Sequence, residues 1–128
     1  MKKKNLTGIN FIQKDLVRLA YRKEIDLGLM IGVLCGLESR TCIAVLKRIK
    51  RYFKEGAILI ASNVLENMPK EDPFMSYLLK EVIGWRLVFK TPEELRQIFE
   101  ESGYEWKGIF YDEPTRFHGL GIAKVPFT

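Results

Sequence analysis

Cysteine and histidine are the residues that this sequence has least of. It contains two cysteines, Cys35 and Cys42, and one histidine, His118. The cysteines are seven positions apart, a spacing that matches neither zinc-binding nor redox-active pairs. A single histidine also excludes a histidine-rich metal site. We therefore predict a cytoplasmic protein with reduced thiols and no metal centre.

Long apolar runs are absent as well. Ala57–Ala61 is one of the longest, with five residues, whereas a membrane span needs roughly 20. The basic segment Lys2–Lys4 is not followed by an apolar stretch, so no signal peptide is predicted. With 128 residues, 47% of them hydrophobic and 12% aromatic, the chain has the composition of one globular domain. We predict a single domain over residues 1–128, in which residues 1–5 form a basic tail, and no membrane partner.

The chain has no strong excess of one charge. Lysine and arginine number 21 and aspartate and glutamate 16, which leaves a net charge of +5. Part of the excess lies at Lys2–Lys4 and part in the segment Lys47–Lys54. A basic run on one helix is more often a solvated face than a nucleic-acid contact. Nucleic acid is therefore not expected as a partner. In the alternative in which it binds, the contacts come from the tail and the basic helix.

Hydrophobic periodicity predicts alternating strands and helices in the first half of the chain. Ile25–Leu34 is almost continuously apolar, which is typical of a strand covered on both faces in a parallel sheet. After it, apolar residues at helical spacing predict a helix that is capped by Ser39 or Thr41 and ended by Gly56. The other predicted elements here are a strand over Ile9–Gln13, a short helix over Leu16–Tyr21 and a second buried strand over Ala57–Val64.

The second half predicts two helices followed by a strand pair. Asp72-Pro73 combines a capping residue with proline at the first helical position. Thr91–Glu94 is a capping box, and Ser102-Gly103 ends the helix that it opens. Tyr104–Tyr111 and Gly119–Val125 form an antiparallel pair, so the whole order predicts an α/β three-layer sandwich. The residues expected to be buried on the first of these helices are Phe74, Leu78, Leu79, Val82 and Ile83.

Five sequence segments occur in the same order as the corresponding motifs of one protein family. They are Phe11–Leu16, Glu24–Leu34, Leu46–Ala61, Ile83–Leu95 and Glu101–Tyr104. Together they resemble the C-terminal part of the class I methyltransferases that use S-adenosylmethionine, over residues 6–125. The resemblance implies a Rossmann-like α/β fold, here a partial sheet whose parallel strands end in an antiparallel pair. The implied activity is transfer of the cofactor's methyl group to an acceptor that the sequence does not name.

The resemblance also implies two groups of cofactor-binding residues. Asp15, followed by Leu16, stands where the family has an acidic residue facing the adenine amino group. Ile31, Gly32 and Val33 lie at the carboxyl end of the apolar strand, at the edge where α/β folds bind ligands. Each group has a structural alternative. Asp15 is equally suited to cap the short helix after it, and the other three residues to pack in the core.

Other polar and aromatic residues are candidates for the acceptor side of the site. Asn63 ends a strand at the same edge, and Trp85 is a candidate for a substrate lid. Tyr111 and Asp112 flank the loop of the final hairpin. Methylation of an oxygen or nitrogen often requires removal of a proton, so Asp112 or His118 is the candidate general base. The alternatives are a turn role for Asn63, core packing for Trp85 and a structural role for His118, and no residue is assigned as catalytic.

Parts of the family's cofactor site have no counterpart in the sequence. There is no G-x-G-x-G loop, since Gly119–Gly121 is predicted inside a strand, and no acidic residue for the ribose hydroxyls. Lys90 stands where the family pattern has arginine, which weakens a bidentate contact there. The sequence thus resembles the second half of a methyltransferase domain, and S-adenosylmethionine is expected to bind this chain weakly or not at all. The alternative function is a non-catalytic methyltransferase-like module that acts by dimerisation or partner binding.

The first two strands of the family fold have no counterpart in this sequence, which predicts a sheet edge without a neighbouring strand. In the complete family fold the strand over Ile25–Leu34 is central, so here one of its hydrogen-bonding edges is bare and apolar. Such an edge promotes aggregation unless it is covered. Either the strand over Ile9–Gln13 moves in beside it, or two chains share the edge in a symmetric dimer. Because Ile9–Gln13 covers only part of the edge, we predict a homodimer.

Overall fold

The computed structural model describes residues 7–127, so the predicted basic tail lies outside the described residues. The described part contains four strands and four α-helices. The strands are β1 (Ile25–Met30), β2 (Phe53–Val64), β3 (Glu105–Tyr111) and β4 (His118–Lys124). The helices are α1 (Ser39–Ile49), α2 (Asn67–Glu71), α3 (Pro73–Tyr77) and α4 (Pro92–Glu101).

The four strands form one mixed sheet in the order β1-β2-β4-β3. β1 runs parallel to β2, whereas β4 is antiparallel to both of its neighbours. The last strand of the chain therefore lies between β2 and β3. This arrangement confirms the predicted fold class, a partial Rossmann-like α/β sheet whose parallel strands end in an antiparallel pair.

Two helices cover one face of this sheet. α1 buries Cys42, Leu46 and Ile49, which recur at intervals of three and four residues and so share one side of the helix. α4 buries Leu95, Ile98 and Phe99 in the same way. These side chains form a single core with one face of the strands, represented by Met30, Leu59, Ala61 and Ala123.

The opposite face of the sheet is apolar but much more exposed. Successive strand residues point to opposite faces, so this face carries the neighbours of the core residues along each strand. Leu27, Leu29 and Phe110 are each more than half exposed. Among residues 7–127, neither buried cluster includes the apolar side chains of this face. They are Leu27, Leu29, Ile58, Ile60, Phe110, Leu120 and Ile122.

The prediction of a strand over Ile9–Gln13 is wrong. This segment forms neither strand nor helix, and Phe11 is 97% exposed. The predicted helix after it is reduced to a 3-10 turn over Leu16–Arg18. The Tyr52 hydroxyl fixes that turn, because it donates to the Leu16 carbonyl at 2.9 Å and accepts from the Leu19 N–H at 3.2 Å. Tyr52 immediately precedes β2, so the turn is held at the amino end of the parallel strands.

Two predicted element ends are also wrong. α1 begins at Ser39 with Glu38 as its N-cap and ends at Ile49, well before Gly56. Gly56 does have the left-handed backbone, with φ +80°, but it lies inside β2. Around it the pairing with β1 shifts, since Ile25 pairs with Phe53 but Leu27 pairs with Ile58. The glycine thus permits an irregularity within a strand and does not stop a helix.

The helix predicted after Asp72-Pro73 exists, but its buried stripe does not. Asp72 Oδ1 accepts from the Met75 N–H at 3.0 Å, as a helix cap should. The residues after α3 continue as a π-helix over Leu78–Ile83, whose wider turn rotates side chains away from the α-helical spacing. Val82 and Ile83 are consequently more than half exposed. Phe74, on α3 before the π-helix, is also more than half exposed, whereas Leu78 and Leu79 are half-buried. No helix within residues 7–127 is long and apolar enough to cross a membrane.

Candidate functional site at the carboxyl ends of the parallel strands

The carboxyl ends of β1 and β2 meet at one edge of the sheet. The chain leaves β1 through Gly32, whose φ of +77° lies in the left-handed region that favours glycine. The Gly32 N–H donates to Ser62 Oγ, near the end of β2, at 3.0 Å. The structure therefore brings the predicted residues Ile31–Val33 next to Ser62 and Asn63. In α/β folds this edge is the usual place for a ligand.

A buried lysine holds this edge together. Lys90 is 1% exposed, although lysine is almost never fully buried unless its charge is paired. Its ammonium group can donate three hydrogen bonds and is surrounded by oxygen acceptors. The acceptors are the carbonyls of Leu37 at 2.8 Å, Leu34 at 3.0 Å and Val88 at 3.3 Å, and Asn63 Oδ1 at 2.9 Å. The lysine thus ties the turn after β1 to the end of β2.

Asn63 completes this polar cluster. Its Nδ2 group donates to the Val64 carbonyl at 2.8 Å and to the Val88 carbonyl at 3.1 Å, while its Oδ1 accepts from Lys90. All of its polar atoms are therefore satisfied in a side chain that is almost completely buried. Asn63 lies at the predicted edge, but its side chain organises the protein interior. Its role on the acceptor side stays a prediction.

Burial changes the acidity of two groups in this cluster. Burial lowers the pKa of Lys90, because it disfavours the charged ammonium, and the nearby thiols of Cys42 and Cys35 partly offset this effect. Burial raises the pKa of Cys42, again with a partial offset from Lys90. The Cys42 thiol donates to the Leu37 carbonyl at 3.5 Å, one of the carbonyls that Lys90 also uses. Both cysteines are reduced and buried.

A cavity of about 570 Å³ adjoins the cluster. It lies between the π-helix and the segment that leads to Lys90, and Val88 belongs both to its wall and to the hydrogen-bond cluster. Trp85, a predicted acceptor-side residue, forms part of the wall. Lys80 and Arg86 add positive charge at an otherwise mainly apolar surface. The remaining lining residues are Ser76, Leu79, Leu87 and Phe89.

The other predicted acceptor-side residues lie on the final hairpin. Tyr111 lines a smaller cleft of about 300 Å³ with Leu65 and packs against the Arg116 guanidinium at 4.2 Å. Asp112 accepts from the His118 N–H at 2.7 Å, and its other oxygen lies 3.3 Å from His118 Nδ1. Burial opposes ionisation of Asp112, but the hydrogen bonds from His118 and Thr115 outweigh it and lower its pKa. A general-base role for Asp112 or His118 stays a prediction.

Asp15 and Leu16 lie at the other end of the sheet. Asp15 Oδ1 accepts from the Val17 N–H at 3.1 Å and caps the 3-10 turn, which is the structural alternative considered for it. The Leu16 carbonyl is bonded to Tyr52 at the amino end of β2. The structure therefore does not bring these two residues together with Gly32 and Asn63. Their contact with adenine stays a prediction.

Sequence reasoning missed Lys90 and Ser62 as organising residues. The sequence does contain a hint of the buried position of Lys90. The lysine lies directly after the apolar run Leu87-Val88-Phe89 and directly before a capping box, in a stretch that is otherwise expected to be buried. Ser62 gives no such signal, since a serine near a strand end is common. Within residues 7–127, histidine, cysteine and carboxylate side chains form no group of three or more that could hold a metal ion.

Comparison with solved structures identifies the architecture. The chain superimposes on a SAM-dependent methyltransferase from Methanosarcina mazei with a TM-score of 0.66, at 15% identity over 90% of this chain. Magnesium protoporphyrin IX methyltransferase from Synechocystis gives 0.64, at 16% identity over 89% of this chain. The fold is that of the class I methyltransferases. A possible exported protein from Bordetella parapertussis also shares it, with a TM-score of 0.73 at 20% identity over 89% of this chain.

The methyltransferase fold is matched only in part. This chain spans 66% of the Methanosarcina protein, 50% of the Synechocystis protein and 43% of the Bordetella protein. No protein-family model matches the sequence, and no curated protein matches it either. The similarity therefore establishes the fold of the chain.

Proposed function

We propose that this chain serves in methyl transfer from S-adenosylmethionine and contributes the acceptor side of the site. The observation that supports this function is the cavity beside the Lys90–Asn63 cluster, at the carboxyl ends of the parallel strands of a methyltransferase fold. In such chemistry the protein mainly positions the reactants. A cavity at this edge can hold an acceptor near a cofactor bound across the strand ends.

The residues at this edge fit only one part of S-adenosylmethionine. Ile31 and Val33 are exposed on either side of Gly32 and offer apolar contacts to a planar ring such as adenine. The Gly32 N–H already donates to Ser62. Glu38 and Glu66 are the carboxylates in the two segments that follow β1 and β2, residues 31–38 and 65–66. Glu66 lies 3.7 Å from Lys70, and the Glu38 side chain makes no cap hydrogen bond at the start of α1, so neither carboxylate belongs to a built site for ribose hydroxyls.

The cavity favours an acceptor with an apolar body and a negative charge. Trp85, Leu79 and Phe89 provide apolar and aromatic surface, while the Lys80 and Arg86 side chains are cationic. When bound, S-adenosylmethionine would supply an electrophilic methyl group: the acceptor oxygen or nitrogen would form a bond to the methyl carbon as the carbon–sulfur bond breaks, S-adenosylhomocysteine would leave, and the acceptor's proton would pass to solvent. The part of this chain is to bind the acceptor, exclude water from it and hold its charge against Lys80 and Arg86.

The isolated chain is expected not to bind S-adenosylmethionine measurably at micromolar concentrations. The glycine-rich loop and the ribose carboxylate are missing, so only adenine-side contacts near Ile31 and Val33 are available. Isothermal titration calorimetry measures this directly. A dissociation constant in the micromolar range or below would contradict the prediction.

The acceptor side is testable through tryptophan fluorescence. In a Trp106→Phe background Trp85 is the one remaining tryptophan, because the sequence contains two. Naphthalene carboxylate is expected to quench Trp85 more strongly than the matched carboxamide, and Arg86→Gln should reduce the difference. Equal quenching by both compounds would contradict an anionic acceptor.

Methyl transfer itself needs a separate assay. Compounds that quench Trp85 are offered to the chain with labelled S-adenosylmethionine at millimolar concentration, which offsets weak cofactor binding. Label in the acceptor, lost in Trp85→Ala, supports the proposed function. No transfer despite acceptor binding would favour the alternative, a non-catalytic module that acts by dimerisation or partner binding.

A further inference from the structure

A cleft of about 300 Å³ lies at the amino ends of the parallel strands, away from the candidate site. Its walls come from the end of α1, the start of β2, the segment after β4 and a residue that precedes β1. No residue of β1 itself lines it. Four of the lining residues are basic and one is acidic, and the rest are apolar. They are Lys23, Lys47, Lys50 and Arg51, then Glu55, then Phe53, Val125 and Pro126.

The structure divides the basic segment Lys47–Lys54 into two groups. Arg48 Nε donates to the Val17 carbonyl at 3.1 Å, and Lys54 Nζ lies 3.0 Å from Asp26 Oδ1, so these two cations have partners within the protein. Within the described residues 7–127, the other three basic residues of the segment form no salt bridge. All three line the cleft. The unpaired positive charge of the segment is therefore concentrated at one place.

Helix termini account for only part of this positive charge. Lys47 lies in the last turn of α1. A Cβ atom at Gly103 would stand 2.8 Å from Lys50 Nζ, so that ammonium group lies beside the end of α4. Cations are favoured at both positions, but the carboxyl end of a helix carries only about half a negative charge. Arg51 packs over the Tyr52 ring at 5.5 Å, which adds no formal charge. The cleft therefore keeps an excess of positive charge.

We propose that this cleft binds a small molecule that carries a diphosphate group. Four basic residues and one carboxylate leave the lining with a net charge of +3. One phosphate group carries about −1.5 to −2 at pH 7, so two linked phosphates match this excess better than one phosphate or one carboxylate does. Lysine and arginine are also the side chains that bind phosphate oxygens by charge-assisted hydrogen bonds. The proposal does not depend on methyl transfer, because the cleft lies at the other end of the strands from the cavity beside Lys90.

The surroundings of the cleft favour a small ligand over a nucleic-acid strand. A second cleft of about 490 Å³ shares Lys23 and Arg51 with the first and leaves room for the organic part of a diphosphate ester. Proteins that bind single strands combine a basic groove with aromatic side chains on which the bases stack. Phe53 is the one aromatic residue that lines either cleft, and it is 5% exposed. Arg48 and Lys54, which would lengthen the basic track, are engaged elsewhere.

Equilibrium dialysis of labelled inorganic diphosphate, at low ionic strength and without divalent cations, tests the proposal. The unmodified chain is expected to bind it saturably, and the double variant Lys47→Gln/Arg51→Gln about tenfold more weakly, since two ion pairs are lost. Arg40→Gln/Lys70→Gln is the matched control. It removes the same two charges away from the cleft, and all four side chains are exposed, so its affinity should stay close to that of the unmodified chain. Equal weakening in both double variants, or no saturable binding by the unmodified chain, overturns the proposal.

Competition for the labelled diphosphate tests the chemistry of the ligand. Uridine diphosphate should displace it at lower concentration than uridine monophosphate, because only the former has the second phosphate. The uridine base also differs from the adenine that Ile31 and Val33 are proposed to contact. Uridine diphosphate that competes better than unlabelled inorganic diphosphate assigns the cleft to a diphosphate ester, and the reverse order assigns it to free diphosphate. Equal displacement by the two uridine nucleotides, or stronger displacement by a single-stranded oligouridine, contradicts the proposal.

Discussion

Lys90→Met is expected to lower the free energy of unfolding by about 3 kcal/mol. Methionine has nearly the shape of lysine but donates no hydrogen bond, so Asn63 Oδ1 loses its donor inside the protein. The Leu37 carbonyl keeps only the weak thiol donor of Cys42, at 3.5 Å. Each buried acceptor left without a partner costs about 1–3 kcal/mol, and relief from burying a charge returns part of that cost. Urea unfolding measures the difference.

Lys80→Met is the matched control for this substitution. Lys80 is exposed at the cavity wall, and the same replacement there should change stability by less than about 0.5 kcal/mol. Hydrogen exchange gives a second readout, because the Val88 N–H donates to the Cys35 carbonyl beside the cluster and should lose protection in Lys90→Met. If the two variants unfolded at the same urea concentration, the role assigned to Lys90 would be wrong.

The stability of the chain should also depend on pH through Lys90. Its pKa in the folded chain is lowered by burial, so above that value the unfolded chain holds more protons than the folded chain. Stability therefore rises with pH in the window between the lowered pKa and the ordinary value of about 10.4. Other groups, including Cys42, titrate in the same range, so the informative quantity is the difference between the unmodified chain and Lys90→Met. That difference should widen in favour of the unmodified chain as pH rises through the window.

Local sequence signals predicted those elements whose boundaries are fixed by neighbouring residues. Thr91 caps α4, with its Oγ1 accepting from the Glu94 N–H at 3.0 Å, as the capping box indicated. The hairpin of β3 and β4 also formed where turn residues separate two apolar stretches. Such signals act within a few residues of the chain, so they do not depend on the rest of the fold.

The errors concern features that depend on distant contacts. Ile9–Gln13 has the alternation of a strand, but a strand requires a partner, and Tyr52 fixes the following turn at the amino end of β2. The stripe from Phe74 to Ile83 assumed α-helical spacing through a segment that becomes a π-helix. The position of the site at the carboxyl ends of the parallel strands was predicted from the order of strands and helices alone. The hydrogen bonds of Lys90 were not predicted, because the acceptors come from three separate segments of the chain.

The glycines of Gly119-Leu120-Gly121 are explained by packing inside the sheet and need no ligand. The triplet resembles a glycine-rich ligand loop by composition, yet it lies inside β4. A Cβ atom at Gly121 would stand 2.9 Å from Phe99 Cε2 and 3.0 Å from Trp106 Cζ3. Carbon atoms pack well at about 3.5–4.0 Å, so both contacts are too short. The glycine lets α4 and the ring of Trp106 approach the strand closely.

Gly121→Val is therefore expected to destabilise the chain by about 3 kcal/mol, at the upper end of what overpacking costs. Valine favours strands, so its backbone preference does not oppose the substitution and the loss must come from the clash with Phe99 and Trp106. Leu120→Val is the control, because it places the same residue one position earlier on the opposite, partly exposed face, where a change below about 1 kcal/mol is expected. Thermal unfolding followed by near-ultraviolet circular dichroism reports on the packing of the aromatic side chains, Trp106 among them. An unchanged melting temperature in Gly121→Val would mean that α4 and Trp106 do not rest on β4 at these distances.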